Sequence, residues 1–202
     1  MNYITDFKMS EVPTPDELAE KMMQGNKFEQ KLIEQRKVFL WGAVTDESAK
    51  KVVDRILYLE AIDPGKEINF YINSPGGVVT SGMVVYDAIK LITSPVNTIC
   101  MGLAASMGSI LLSVGAKGKR QIWPNGRVMI HQPSIGGAYG QATDLEITAN
   151  EIQKTKEMGG RILSENCGQP YDRVMKDLER DFWMSAEEAV QYGIVDSISS
   201  TF

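Results

Sequence analysis

The chain has 202 residues, 43% of them hydrophobic, enough for one substantial core in a single domain. Its formal net charge of −5 argues against a general nucleic-acid binder, which would carry a basic patch. Its two cysteines, Cys100 and Cys167, are too few for a disulfide scaffold and lack metal-ligand spacing, so no metal site is expected. No run approaches the ~18 apolar residues of a membrane helix, and Met1 to Lys8 lack the apolar core of a signal peptide. A reducing, cytoplasmic setting is expected, with neither nucleic acid nor membrane as partner.

Residues 1–36 are polar and lack strand patterns, and are expected to form an N-terminal arm outside the main domain at 37–202. Thr14-Pro15-Asp16-Glu17 predicts a helix start: threonine caps, proline suits the first helical position and glutamate completes a capping box. That helix should run to about Met23, stop near Gly25 and lead into a charged stretch ending at Arg36.

From Val38 onward strand and helix patterns alternate. Val38 to Trp41 reads as a strand, and Thr45 caps a helix with Ala49, Val52, Val53, Ile56 and Leu57 on its buried face. Ile68 to Ile72 is the next strand, broken by Asn73-Ser74-Pro75-Gly76-Gly77 and followed by a helix through Met83 and Ile89. Val96 to Met101 predicts a third strand and Ala105 to Val114 a helix. Gln121 to Trp123 and Arg127 to Ile130 read as strands around Pro124-Asn125-Gly126. The order implies an α/β fold with right-handed crossovers. A long helix is predicted from Gln141 to Glu165. Its apolar residues are sparse, and Gly159-Gly160 weakens its middle by roughly 1 kcal/mol per glycine. It is expected to project and meet another subunit. Ser185-Ala186-Glu187-Glu188 is a second capping box, Gly193 ends that helix, and Ile194 to Ile198 is the final strand.

His131 is the chain's only histidine, so imidazole acid–base chemistry has one possible source. Ser106 stands where a strand should end and a helix begin, flanked by small residues, a position where helix amides can stabilise developing negative charge. Gly76-Gly77 could expose backbone amides, and the Gly77 and Met107 N–H groups could together hold an oxyanion. Local sequence leaves each of these open. Ser106 could be an ordinary cap, Gly76-Gly77 a plain turn and His131 a structural histidine.

Four blocks carry a more specific signal: Asn73-Ser74-Pro75-Gly76-Gly77, Ala104-Ala105-Ser106-Met107-Gly108, Arg127 to Pro133, and Gly140-Gln141-Ala142-Thr143-Asp144. In this order, over roughly Val38 to Ile198, the chain resembles the ClpP family of caseinolytic-type serine peptidases. The resemblance implies a ClpP/crotonase-like fold with a projecting handle helix (about 132–167). It also implies two stacked heptameric rings, a tetradecamer that cleaves peptides without a cofactor of its own. Degradation of unfolded polypeptides then needs an AAA+ unfoldase of the ClpX, ClpA or ClpC type, which uses the ATP. By the same match Ser106 is the nucleophile, His131 the general base and Asp181 the orienting acid, with Asp177 and Asp172 as weaker candidates. Gly77 and Met107 form the oxyanion hole, while Glu179, Arg180 and Gln141 contribute to oligomer contacts.

The resemblance is thinner elsewhere. Residues 1–36 do not look like the family's usual axial segment. Leu57, Tyr71, Leu91, Ile99 and Met101 fit an unfoldase docking pocket, but Gln121 and Ser199 stand where apolar residues are common. The alternatives are a weakly active or inactive ring subunit that pairs with a ClpP paralogue in a mixed barrel, a crotonase-like acyl-CoA enzyme, or a Ser/Lys peptidase using Lys117 or Lys119.

Overall fold

The computed structural model describes residues 27–134, 136–137 and 139–200. The chain divides into two compact units, one ending at Gln35 and one beginning at Arg36. In the first, residues 27–34 are helical, where the sequence suggested only a charged stretch. Lys31 and Glu34, 2.9 Å apart one turn along, support that helix modestly. The helix predicted at Thr14 lies outside the described residues.

The second unit runs β1 (Lys37–Trp41), α1 (Asp46–Ile62), β2 (Ile68–Ser74), α2 (Val79–Leu91), β3 (Val96–Ala105), α3 (Met107–Ser113) and β4 (Arg120–Ile122). It continues through β5 (Arg127–Ile130), α4 (Ala142–Cys167), α5 (Tyr171–Asp177), β6 (Phe182–Met184), α6 (Ala186–Tyr192) and β7 (Ser197–Ile198). Among the described residues these strands make one seven-stranded sheet in the order β1-β2-β3-β4-β7, with β5 joined to β3 and β6 joined to β5. Every pairing is parallel except β5–β6. The expected α/β architecture is therefore present.

Strand alternation places Val38, Leu40, Ile68, Phe70 and Ile72 in the main core. The opposite row carries Phe39 stacked on Tyr71, ring centroids 4.8 Å apart, with Ile99, Met101 and Trp123 packed beside them. Strand β3 serves two partners: residues 98–100 pair with β4 and residues 103–105 with β5. Between the two stretches Gly102 adopts φ +104°, and the Asn73 side chain accepts the Leu103 N–H at 3.1 Å. This local break lets one strand change neighbours and carries β5 toward the end of β3.

The buried face of α1 is Ala49, Val52, Ile56 and Leu59. Leu57, predicted on that face, is instead half exposed, since it lies about 100° round the helix from Ile56. The carboxyl end of α1 is held by Arg36, itself almost wholly buried, which donates to the carbonyls of Leu59 at 3.1 Å, Glu67 at 2.9 Å and Lys66 at 2.9 Å. The final strand is shorter than the predicted Ile194 to Ile198. Asp196 leaves the ladder to pair with Arg120 at 2.6 Å, and Arg120 also donates to the Asn166 carbonyl at the base of α4. Elements α5 and β6 have no counterpart among the predicted elements.

The first turns of α4 are exposed, and only Gly160 and Leu163 are fully buried. Among the described residues no helix is long and apolar enough to cross a membrane.

Candidate active site

Parallel pairing of β3 with β5 ends at Ala105 opposite Met129, and the next residue on β3's path is Ser106. Its N–H donates to the Met129 carbonyl at 2.8 Å, the last tie to the sheet before α3 begins at Met107. Here the chain must reverse from strand to helix within one residue. Ser106 makes that turn at φ +53°, ψ −123°, a conformation that costs a non-glycine residue on the order of 1–3 kcal/mol. The turn leaves the hydroxyl on the rim of the fold, partly open to solvent.

Close packing around the turn accounts for the adjacent glycines. A Cβ on Gly76 would stand 2.7 Å from the Ala105 carbonyl oxygen and 3.0 Å from the Met107 nitrogen. One on Gly77, at φ +150°, would collide with the Val44 carbonyl oxygen. Val44 bridges to Gly77 as a short extension of the sheet, donating its N–H to Gly76 O at 2.8 Å and accepting from Val78 N–H at 2.9 Å. Among the described residues neither the Gly77 nor the Met107 N–H meets a protein acceptor.

The antiparallel β5–β6 pair brings in the other two groups. Its register sets Val128 opposite Met184, Met129 opposite Trp183 and Ile130 opposite Phe182. One step further, His131 faces Asp181, and the His131 Nδ1 lies 3.0 Å from an Asp181 carboxylate oxygen. Past them the regular pairing ends, and the Gln132 N–H donates to the Leu178 carbonyl at 2.7 Å. On the other edge of the ring, Nε2 is 2.9 Å from Ser106 Oγ. A carboxylate only accepts hydrogen bonds, so Nδ1 carries the hydrogen and Nε2 keeps its lone pair for the serine hydroxyl. This arrangement can take a proton from Ser106.

The other carboxylates and amines considered for these roles lie elsewhere. Asp177 accepts from the Tyr192 hydroxyl at 3.2 Å and stands 3.7 Å from Arg173. Lys119 is paired with Glu67. Burial pushes the thiols of Cys100 and Cys167 up to about 12, so both stay protonated and poorly nucleophilic at neutral pH. Among the described residues no three His, Cys, Asp or Glu side chains are grouped to hold a metal ion.

Beside Ser106 and His131 opens a narrow groove. Val79 and Met83 of α2, Ile110 of α3, and Met158 and Gly159 of α4 form much of its wall. Sequence reasoning missed the contribution of α4; the paired glycines in that helix were the available signal.

The residues predicted for assembly and docking are placed as follows. Glu179, Arg180 and Gln141 are exposed. Leu57 is 49% and Leu91 83% exposed, whereas Tyr71, Ile99 and Met101 are buried together. Tyr71 and Ile99 also line a depression whose floor includes a Ser199 to Gln121 hydrogen bond of 2.8 Å.

The family model described as Clp protease matches residues 20–201, nearly the whole chain. Since that match covers well over half of the sequence, the chain belongs to the Clp protease family.

Proposed function

We propose that this family member is a serine endopeptidase, the proteolytic subunit of a self-compartmentalised Clp protease in the cytoplasm. The observation that carries the proposal is the hydrogen-bonded line from Ser106 Oγ through His131 to Asp181, with separations of 2.9 Å and 3.0 Å. In this reading Ser106 Oγ attacks the carbonyl carbon of the scissile amide while His131 Nε2 takes the hydroxyl proton. The carbonyl π electrons move onto oxygen, where the Gly77 and Met107 N–H groups donate to it. Collapse of that intermediate breaks the C–N bond, and His131 returns its proton to the leaving amine. A water then repeats the sequence on the acyl-serine, releasing the second product and restoring the hydroxyl. Asp181 fixes the imidazole tautomer and stabilises the imidazolium that forms between steps.

No cofactor takes part in these steps. Family membership supports ring assembly and an unfoldase partner in general terms. We further assign the subunit to a barrel of two stacked heptameric rings. In that barrel α4 meets the opposite ring near Gln141, Glu179 and Arg180 contribute contacts, and Leu57 and Leu91 offer apolar side chains to an AAA+ unfoldase that supplies ATP-driven unfolding.

A fluorophosphonate probe tests the assignment directly. Wild-type protein should be labelled and Ser106→Ala should not, with native mass near fourteen subunits. An assembled barrel that takes up no probe sinks the peptidase reading.

A further inference from the structure

The Gly77 N–H is aimed by bonds that its neighbours make. On its own peptide plane the Gly76 carbonyl accepts the Val44 N–H at 2.8 Å, and in a trans peptide the N–H points the opposite way. The Val78 N–H, next along the chain, donates to the Val44 carbonyl at 2.9 Å. Two successive glycines, at φ +92° and φ +150°, leave this stretch with wide conformational freedom. Pro75 has no N–H to offer, so Gly76 carries the first amide after β2. That amide donates to the Ser74 hydroxyl oxygen at 3.1 Å, a bond that spans the proline and restrains the glycines. Ser74 is wholly buried, a setting in which a hydroxyl is costly unless it is used.

We propose that Ser74 is a positioning residue: its hydroxyl fixes Gly76 and so holds the Gly77 N–H where the scissile carbonyl oxygen becomes charged. The proposal rests on the peptidase reading above. Val44 grips the glycines from one side and Ser74 from the end of the strand, and alanine at 74 removes only the second grip. A Cβ on Gly76 would stand 3.0 Å from the Met107 nitrogen, so a shift of Gly76 alters how the two oxyanion amides stand to each other. Donors of this kind matter most when the oxygen carries charge, in the transition state, and little to the bound amide substrate. The mark of the role is therefore a loss in kcat at constant KM.

Hydrolysis of a peptidyl-aminomethylcoumarin by the assembled full chain tests this. Ser74→Ala should lower kcat by about tenfold or more, part of what a whole oxyanion donor is worth, with KM within about twofold. Affinity for a peptidyl trifluoromethyl ketone should fall by a similar factor. In that adduct Ser106 Oγ bonds to the ketone carbon, the carbonyl π electrons move onto oxygen and the hydroxyl proton passes to His131. The Gly77 N–H then faces a full negative charge. Ser113→Ala removes another buried serine, one bonded to the Ile110 carbonyl and the Asn166 amide. It should lower the melting temperature and leave kcat and ketone affinity unchanged. Wild-type kcat and ketone affinity in Ser74→Ala, a loss confined to KM, or an equal loss of kcat in Ser113→Ala overturns the role and leaves the peptidase reading standing. If Ser74→Ala does not fold, Ser74→Cys decides, since sulfur is the poorer acceptor: reduced kcat at constant KM supports the role, and wild-type kcat overturns it. A wild type that neither cleaves peptides nor takes up fluorophosphonate ends the peptidase reading, and the role falls with it.

Discussion

Gly76 and Ser106 share one space: a Cβ on the glycine would stand 2.6 Å from the serine Cβ. Since Gly76 also sits at φ +92°, alanine there meets both strain and collision, and the serine-bearing turn is the neighbour that must yield. Gly76→Ala should lower stability by about 1–3 kcal/mol, read from the urea midpoint. It should also slow fluorophosphonate labelling of Ser106 by about tenfold or more. Unchanged labelling in this variant would mean that the turn tolerates displacement without consequence for its hydroxyl.

Asp181→Asn should reduce peptide turnover by about 10⁴-fold, because an amide no longer imposes the tautomer that leaves Nε2 free to accept. Asp177→Asn serves as the contrast. Its carboxylate holds Tyr192 and Arg173 away from the imidazole, so the loss there should fall on thermal stability. A two-fold loss in Asp181→Asn, with assembly intact, would remove this residue from the mechanism.

Arg36→Met should destabilise the main unit by about 1–3 kcal/mol, the cost of losing the hydrogen bonds its buried guanidinium makes to three carbonyls. Arg36→Lys should recover little of that. A single ammonium cannot reproduce the guanidinium fork that reaches Leu59, Glu67 and Lys66 together. Equilibrium urea unfolding of the two variants side by side checks both statements, and full rescue by lysine would show that charge alone suffices.

The pH response of stability has a local source in Glu60. Hydrogen bonds from the Ser94 and Thr93 side chains, with the Thr93 amide, hold its carboxyl down to about 2 from an ordinary 4.5. Because the folded value lies below the unfolded one, the stabilising contribution is complete above about 4.5 and fades as pH falls toward 2. Glu60→Gln should therefore flatten the stability curve between those values and leave its shape above pH 5 intact. Urea midpoints measured from pH 7 down to 2 give the comparison; parallel curves for wild type and variant would refute it.

Much of this fold was legible because its elements are locally consistent. Thr45 caps α1 as expected, and the Ser185 capping box forms with its reciprocal side-chain bond. Gly193 closes α6 in the left-handed conformation expected of it. What escaped was short or depended on partners distant in sequence. Three residues, Phe182 to Met184, show too little alternation to announce a strand, and β6 exists because β5 offers it an edge. Helix α5 is similarly brief, at seven residues. Leu57 was misplaced because one stripe of α1, narrower than the pattern suggested, carries the packing. Ser106 and His131 could not be separated from an ordinary cap and a structural histidine by their neighbours alone. Their proximity depends on β3 and β5 ending side by side, and pairing of that kind leaves no trace in either segment read alone.

The His131–Asp181 pair stands one step beyond the last rung of the β5–β6 ladder, although fifty residues of chain separate its members. Length changes should therefore be tolerated very unequally. Helices α4 and α5 lie on the excursion between the two residues, and turns could be added to α4 far from the site without altering how the imidazole meets the carboxylate. One residue inserted between Ile130 and His131, or between Asp181 and Phe182, would turn that side chain to the opposite face of the sheet. Within the family, variation in handle length and constancy of spacing at these two junctions would be the pattern such a ladder leaves behind.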